Sequence, residues 1–505
     1  MRRWCLFAAM LIVGCRPSTP GVGQGAGAAG RAAPTGTVSV VDFGARGDGR
    51  TDDREAIQAA IRAGAEHHRE VYVPPGTYAI SGAPGVAWGL DVPGGVHLRG
   101  AGDGTTVLQQ APGAGRSVRL LHLSGDSIVV EDLTLDGNRA AQRPPGDEQR
   151  HGLFATRTDH LIVRRVTAQN FTGDGFYLHH GATDSTFANV VATSNGRNGI
   201  TLGGNVDHTA LVDSRFAGNR AQQVDSEPGG TAVVSRTTVT GCEIDVDGAS
   251  NDYALTVSGT PRARGTGWTI VGNKINGGIF VVWAEHVVIA GNVGINPTTK
   301  PGITVYRTSS DVAILGNRLV QTQTRVRSLA GVLIQGTGTG SAPERVAVLG
   351  NDIAVDYEHS FGIRVEGAIS VSLIGNRLRG AGRAAPGYSG IYLRATNQVE
   401  DFRSAVVRGN TVQNFGERGL TLAGNGGAKL LAVEIRDNTF DDDSRVPSMT
   451  AGISLDDGTG AARQISVAGN RCLRGVTTPV VNLPADPQVM VAEPPRAEAG
   501  GPGSR

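Results

Sequence analysis

The sequence predicts an all-β solenoid, a rod of stacked coils closed at its N-terminal end by one short helix. Three observations carry this. A Gly-Asn pair following an apolar-alternating run recurs at Asn273, Asn292, Asn317, Asn351, Asn376, Asn410 and Asn470, with Asp437-Asn438 in the same register, at spacings of 19 to 34 residues. Before most pairs stands a second short strand of form Gly-apolar-x-apolar-x, as in Gly302-Ile-Thr-Val, Gly331-Val-Leu-Ile and Gly362-Ile-Arg-Val, and traced backward as Gly199-Ile-Thr-Leu, Gly175-Phe-Tyr-Leu and Gly152-Leu-Phe-Ala. Gly makes up 74 of 505 residues against 23 Pro, without a collagen period, which suits many tight turns. A self-similar unit of two or three short strands joined by irregular loops is a repeat rod, not a globular α/β domain.

Taken in order, the chain opens on a targeting signal. Arg2 and Arg3 give a positive start, and Leu6 to Val13 is an apolar run too short to span a bilayer as a mature helix. Ile12-Val13-Gly14-Cys15 resembles a bacterial lipobox, which implies cleavage before Cys15, its lipidation, and attachment to a membrane. Arg16 in place of Asp after that Cys leans toward outer-membrane sorting. Residues 16–36 are Gly, Ala and Pro without an apolar period and read as a flexible tether.

Val38 to Phe43 alternates as a strand, and 44–49 is a turn. Asp52 as N-cap and Glu55 three residues on begin a helix whose apolar face is Ala56, Ile57, Ala60, Ile61 and Ala63. Val71 to Tyr78 is a strand and turn. A helix beside a strand plugs the open end of a β rod, where backbone would otherwise stand unpaired. This segment resembles the N-terminal cap of the pectate-lyase-like superfamily, which implies a right-handed parallel β-helix. No linker interrupts residues 37–483, so one domain is expected there, followed by a disordered tail at 484–505 rich in Pro, Gly, Ala and Glu.

The Asn corners suit turns, since Asn tolerates left-handed backbone and its amide can bond the Asn one coil away. Cys242 takes such a corner, and Cys472 lies two residues past Asn470. Eight coils separate them, on the order of 38 Å at ~4.8 Å per coil. A disulfide needs Cα atoms within about 7 Å, so two free, buried thiols are expected. Net charge is +1, with 18% charged residues and no basic stripe, which excludes nucleic acid as a partner.

In each Gly-apolar-x-apolar-x strand the second and fourth side chains point in, while the third and fifth point out and stack coil on coil. The third-position row begins Phe154, Tyr177, Thr201, Val233, Thr256, Phe280; the fifth begins Thr156, His179, Gly203, Ser235. Two clusters emerge. The first is Phe154, Tyr177 and His179, with His151 and Asp174 at strand starts and Arg197 and Asn198 before the next strand. The second is Arg364, Glu366, Tyr392 and Arg394. Aromatic and hydrogen-bonding groups along a rigid sheet suit a polysaccharide.

His179 titrates near neutrality and serves proton transfer; Tyr177 serves if its pKa is lowered; Asp174 orients or charges the His; Arg197 pairs with a substrate carboxylate. Together these take a proton α to a carboxylate, the step shared by uronate β-elimination and C5 epimerisation. His151, Phe154 and Asn198 would contact substrate, as would Arg364, Tyr392 and Arg394, although the second cluster equally forms an ion-pair ladder on a solvated face. Hydrolysis needs two carboxyls, and Asp174 has no partner in the strand register; Asp136, or Asp207 or Asp225 from loops, would have to supply one. Asp441-Asp442-Asp443 lacks spaced ligands for calcium and reads as a solvated turn, so no metal or other cofactor is indicated.

Residues 38–205 also resemble the catalytic β-helix of secreted alginate C5-epimerases, through Leu133-Thr-Leu-Asp-Gly-Asn-Arg139, Gly173-Asp-Gly-Phe-Tyr-Leu-His179 and Ala192-Thr-Ser-Asn-Gly-Arg-Asn-Gly199. The resemblance implies action on polysaccharide and places the family's His at His179. Its Tyr falls on Asp174, its first Asp on Tyr177 and its later Asp on Asn198, and no Arg-His pair stands near Arg220, so the scaffold carries over better than the epimerase assignment. The leading expectation is a lipid-anchored lyase or epimerase of a uronate polysaccharide. Glycoside hydrolysis and a non-catalytic glycan-binding or adhesin role stand as alternatives.

Overall fold

The computed structural model describes residues 36–247, 251–322, 329–356, 359–382, 388–396, 402–424, 430–456, 464–481 and 489–491. The signal, Cys15 and the tether up to residue 35 lie outside them. The chain is a parallel β-solenoid. One coil shows the plan: Phe176–His179 on the first face, Thr183–Ala188 on the second, Val191–Thr193 on the third, then Ile200–Leu202 back on the first. Strands on each face pair in parallel with the same face one coil away. The first face is a sheet of fifteen strands running from Trp88–Pro93 to Thr478–Val481.

The alternation expected within each strand holds. Leu153, Ala155, Phe176, Leu178, Ile200 and Leu202 are fully buried, each larger side chain contributing roughly 1.5–3 kcal/mol of burial. The repeated Gly has a packing cause. A Cβ on Gly152, Gly175 or Gly199 would lie 2.5 to 2.8 Å from the carbonyl oxygen of Gly175, Gly199 or Gln223 in the next coil. The strand start must therefore approach its neighbour with bare backbone. The corner Asn form a ladder: from Asn273 to Asn438 each Nδ2 donates to the Oδ1 of the next Asn, ending at Asn470, at 2.9–3.0 Å. Each also donates to a strand carbonyl one coil back. Cys242 sits in the same column, its N–H donating to Asn273 Oδ1 at 2.9 Å.

Four expectations are corrected. The helix is Arg54–His67, capped at Asp53 rather than Asp52. The buried Asp53 carboxylate accepts the N–H groups of Arg46 and Gly47 in the preceding turn and makes no bond to the helix, whose first N–H, that of Arg54, is taken by Asp52 Oδ1 at 3.2 Å. In the coil after Thr201 the first-face strand is Val224–Ser226, and Val234–Ser235 belongs to the second face. Asp225, not Val233, therefore continues the third-position row. Cys242 is buried but Cys472 only partly so; both are free. Val489–Val491 pairs with Ile465–Val467, so the solenoid runs past residue 483 into the segment expected to be tail.

Candidate active site

The first face carries Asp91, His122, Phe154, Tyr177, Thr201 and Asp225 in one row, each opposite the next. Tyr177 and His179 alternate with buried Phe176 and Leu178, so both project outward, half-buried, with rings edge-on at 5.4 Å between centroids. Neither nitrogen of His179 nor the Tyr177 hydroxyl has a hydrogen-bond partner among the described residues, which leaves them available to a ligand. Burial, reinforced by neighbouring His180, holds the His179 pKa below the ordinary histidine range. Burial, with the Glu227 and Asp174 charges, pushes the Tyr177 phenol up to about 12. The lowering that base work by Tyr177 requires is absent, and the phenol is held in its donor form.

His179 rests in a notch. Gly203 faces it from the next coil, and a Cβ there would lie 2.1 Å from His179 Cδ2 and 3.0 Å from Tyr177 Cε2. A side chain at 203 and the observed imidazole cannot coexist.

Asp174 lies beneath this surface, fully buried. Its carboxylate accepts from the Asn198 N–H (2.9 Å), Thr201 Oγ1 (3.0 Å) and Arg197 Nη1 (2.9 Å). It does not bond His179, so the expected role of orienting that ring directly has no contact behind it. Burial raises its pKa to about 7 against the opposing pull of Arg197. Asn198 is buried too, its Nδ2 donating to Thr201 Oγ1 and to Asp225 Oδ2 at 3.1 Å. It ties two carboxyls together instead of facing substrate. His151 is likewise buried: its Nδ1 accepts the Asp174 N–H at 3.0 Å, Nε2 has no partner among the described residues, and burial drives its pKa well down. It supports the Phe154 and Tyr177 rings from below, at 6.1 and 4.8 Å. Arg197 bridges Asp174 and Glu227, with Glu148 at 3.9 Å, so its guanidinium is already committed to carboxylates of the protein.

Glu227, Arg119 and His122 were not anticipated, and Asp225 was expected in a loop. Asp225, buried on the strand rather than in a loop, has its pKa pushed up by burial and by Glu227. Asp174, Asp225 and Glu227 thus converge around one arginine. The signal was spacing: 24 residues separate Tyr177 from Thr201 and Thr201 from Asp225, but Gln223 stands where the motif has Gly. Arg119 lies over the Phe154 ring at 4.6 Å, donates to Gln149 Oε1 at 3.3 Å, and has no carboxylate partner among the described residues. His122 is held by Asp91 at 2.7 Å and stacks on Trp88 at 4.3 Å.

The other candidates stand apart. Asp136 is held by the Gln169 and Asn170 amides, and Asp207 by Ser235 and Arg236, so neither partners Asp174. Arg364, Tyr392 and Arg394 begin seven coils from Tyr177, about 34 Å along the axis. Arg364 and Arg394 converge on buried Glu366 at 2.8 and 3.7 Å, and Tyr392 packs on Phe361 at 5.1 Å. That is the ladder alternative, with Glu366 buried rather than solvated. Asp442 is also buried, accepting the Ser448 and Met449 N–H groups, so the Asp441–Asp443 turn is pinned and not a solvated one.

Residues 37–304 match the profile of the family described as Rhamnogalacturonase A/epimerase, pectate lyase-like. Over 200 residues the chain is 36% identical to Mannuronan C5-epimerase AlgE4 of Azotobacter vinelandii, covering 37% of this chain and 34% of that protein. It is 32% identical over 175 residues to Alginate lyase 7 of the same organism, covering 32% of this chain and 20% of that one. The match therefore spans about a third or less of these relatives' length. Among solved structures, the Pseudomonas phage phi297 tailspike gp61 superposes with a TM-score of 0.57 at 13% identity, over 74% of this chain and 80% of that one. That last likeness is one of fold alone.

Proposed function

The chain belongs to the rhamnogalacturonase A/epimerase, pectate-lyase-like family, and on that premise we propose that it abstracts the C5 proton of a uronate residue in a polysaccharide, as a lyase or a C5-epimerase. One observation carries the reading: an imidazole kept neutral and a phenol kept protonated stand side by side on one strand, both open to the groove. His179 accepts the C5 proton, and the electrons of the broken C–H bond pass into the substrate carboxylate. Arg119, stacked on Phe154 and lacking a protein carboxylate, balances that charge in place of Arg197. Tyr177 then gives its proton either to C5 from the opposite face, which inverts the sugar, or to the departing glycosidic oxygen, which cleaves the chain. Asp174, Asp225, Glu227 and Arg197 form the floor that fixes the strand.

The names of the two Azotobacter relatives, an epimerase of mannuronan and a lyase of alginate, support a uronate substrate. Hydrolysis is less well supplied: Asp174 and Asp225 are buried, and a general acid must reach the glycosidic oxygen. Attachment through a lipid on Cys15 belongs to the same proposal and would hold the enzyme at the cell envelope. The test incubates the purified protein with uronate polymers and follows ultraviolet absorbance of the unsaturated product, reducing ends and proton NMR of the polymer. Absorbance with new ends means elimination, and altered NMR without new ends means epimerisation. Each should vanish in His179→Ala. New ends without absorbance would mean hydrolysis, and silence throughout would leave a binding protein.

A further inference from the structure

Four coils beyond Tyr177, about 19 Å along the axis, the same face carries a second aromatic patch. Tyr253 stacks on Phe280 at 4.9 Å and 24°, and Phe280 meets Tyr306 at 5.9 Å. At the corner beside them the Arg307 guanidinium lies 4.4 Å over the Trp283 ring and 5.4 Å from that of Tyr306. Lys300 Nζ lies 5.7 Å over the Tyr253 ring at the opposite edge. All five rings and chains other than Lys300 are half-buried; Lys300 is exposed.

The charges set this patch apart from the second arginine cluster. Arg364 and Arg394 have Glu366 between them. Arg307 and Lys300 make no ion pair among the described residues, and the buried Nε of Arg307 has no hydrogen-bond partner. A cation over an aromatic face is stabilised by about 0.5–2 kcal/mol, yet the guanidinium's donors remain unused. Trp283 is also held at φ +49°, a conformation that bulky side chains rarely adopt. Flat rings with unspent cations at both edges complement the C–H face and carboxylate of an anionic sugar ring.

We propose that this patch is a second, non-catalytic platform that binds the acidic polysaccharide some four coils from the chemistry. Sugar rings pack on Phe280 and Tyr306, and their carboxylates pair with Arg307 and Lys300. The proposal rests on the reading that the groove takes a uronate chain. Two of its residues, Tyr306 and Arg307, lie beyond the family match, which ends at residue 304. Its effect is to hold a long chain by a second point while the reacting sugar is exchanged.

The experiment is affinity electrophoresis of the full chain carrying His179→Ala, which removes turnover, in gels containing polymannuronate, polygalacturonate or neutral dextran. Retardation is expected in a uronate gel and not in dextran. Trp283→Asn, which keeps a side chain suited to the left-handed corner, and Arg307→Gln should each weaken it roughly tenfold with an unchanged thermal midpoint. Tyr306→Ser, at an ordinary strand position, repeats the test away from the corner. Unchanged retardation in all three variants, no retardation of the parent, or equal retardation by dextran would each overturn the platform. Because binding is read without turnover, a failure of the lyase or epimerase reading shows separately, in the product assay.

Discussion

Gly203 is the sharpest lever on the site. In Gly203→Ala the new methyl meets His179 Cδ2 at 2.1 Å, whereas ordinary contact begins at 3.4 Å, so the imidazole must retreat by about 1.3 Å. Tyr177 blocks one direction, since its Cε2 would lie 3.0 Å from the same methyl. A displacement near 1 Å in a reacting group costs on the order of 100-fold in rate. No core atom is added or removed, so the thermal midpoint should move little. The assay is kcat on the uronate polymer with the thermal midpoint in parallel. Gly204→Ala is the control, because its Cβ would sit 3.6 Å from His179 Nε2 and 3.3 Å from Ala232 Cβ, close to ordinary contact; it should keep most of the activity. A Gly203→Ala enzyme with unimpaired kcat would refute the notch as the device that places His179, and with it the role given to that imidazole.

Three further outcomes are expected. The acid limb of the kcat/KM profile should lie below the free-imidazole value of about 6.5, and His180→Ala should move it upward, since removing His180 takes away one of the two influences that depress His179; an unmoved limb would count against His179 as the titrating base. Asp225 has its pKa raised on folding, so the native state holds its proton longer than the unfolded chain, and this contribution to stability is full below about pH 4 and lost as pH rises through the folded-state value near 8. Asp225→Asn should therefore flatten the fall in urea midpoint between pH 5 and pH 9, and an equally steep fall in the variant would refute this. Asn351→Ala strips the side-chain acceptor from Asn317 N and Nδ2 and a donor from Ile314 O, while Asn376 Oδ1 keeps the N–H of residue 351, and at ~1–3 kcal/mol per buried orphan with partial relaxation should cost about 3 kcal/mol in urea denaturation.

The fold was legible because its causes repeat. Gly at a strand start and Asn at a corner are dictated by the coil-to-coil approach, so the same two residues return wherever the approach does. The register failed where the sequence substituted for them: Gln223 replaces the strand-start Gly and itself accepts from Asn219, and the reading slid to Val233. That slip left Asp225 in a loop and hid the acid cluster around Arg197. Burial was the other blind spot. His151, Asp174 and Asn198 stand at strand starts, where the alternation that sorts a strand into inside and outside has not begun, and all three turned inward. Arg119 escaped notice because its strand, which opens Arg119-Leu-Leu-His-Leu, has no Gly at its start. The aromatic and imidazole row from Phe154 to His179 was readable because it lies wholly within regular strand.

The asparagine column has a direction. From Asn273 to Asn438 each side-chain amide gives one N–H to the Asn of the next coil and the other to a strand carbonyl one coil back, while the receiving Oδ1 always accepts from the N-terminal side, so the side-chain carbonyls all face the same way along the axis. Asn195 and Asn219 form a separate, shorter ladder at another corner, where the chain leaves the third face for the first: Asn195 Nδ2 donates to Asn219 Oδ1, Asn219 Nδ2 to Gln223 Oε1, and Gln223 Nε2 returns to the Asn219 carbonyl. The long column starts at Cys242, between the second face and the third, whose N–H donates to Asn273 Oδ1. Side-chain stapling thus changes corner along the rod: the coils of Tyr177, Thr201 and Asp225 are pinned where the chain enters the first face, and those from Tyr253 onward where it leaves the second.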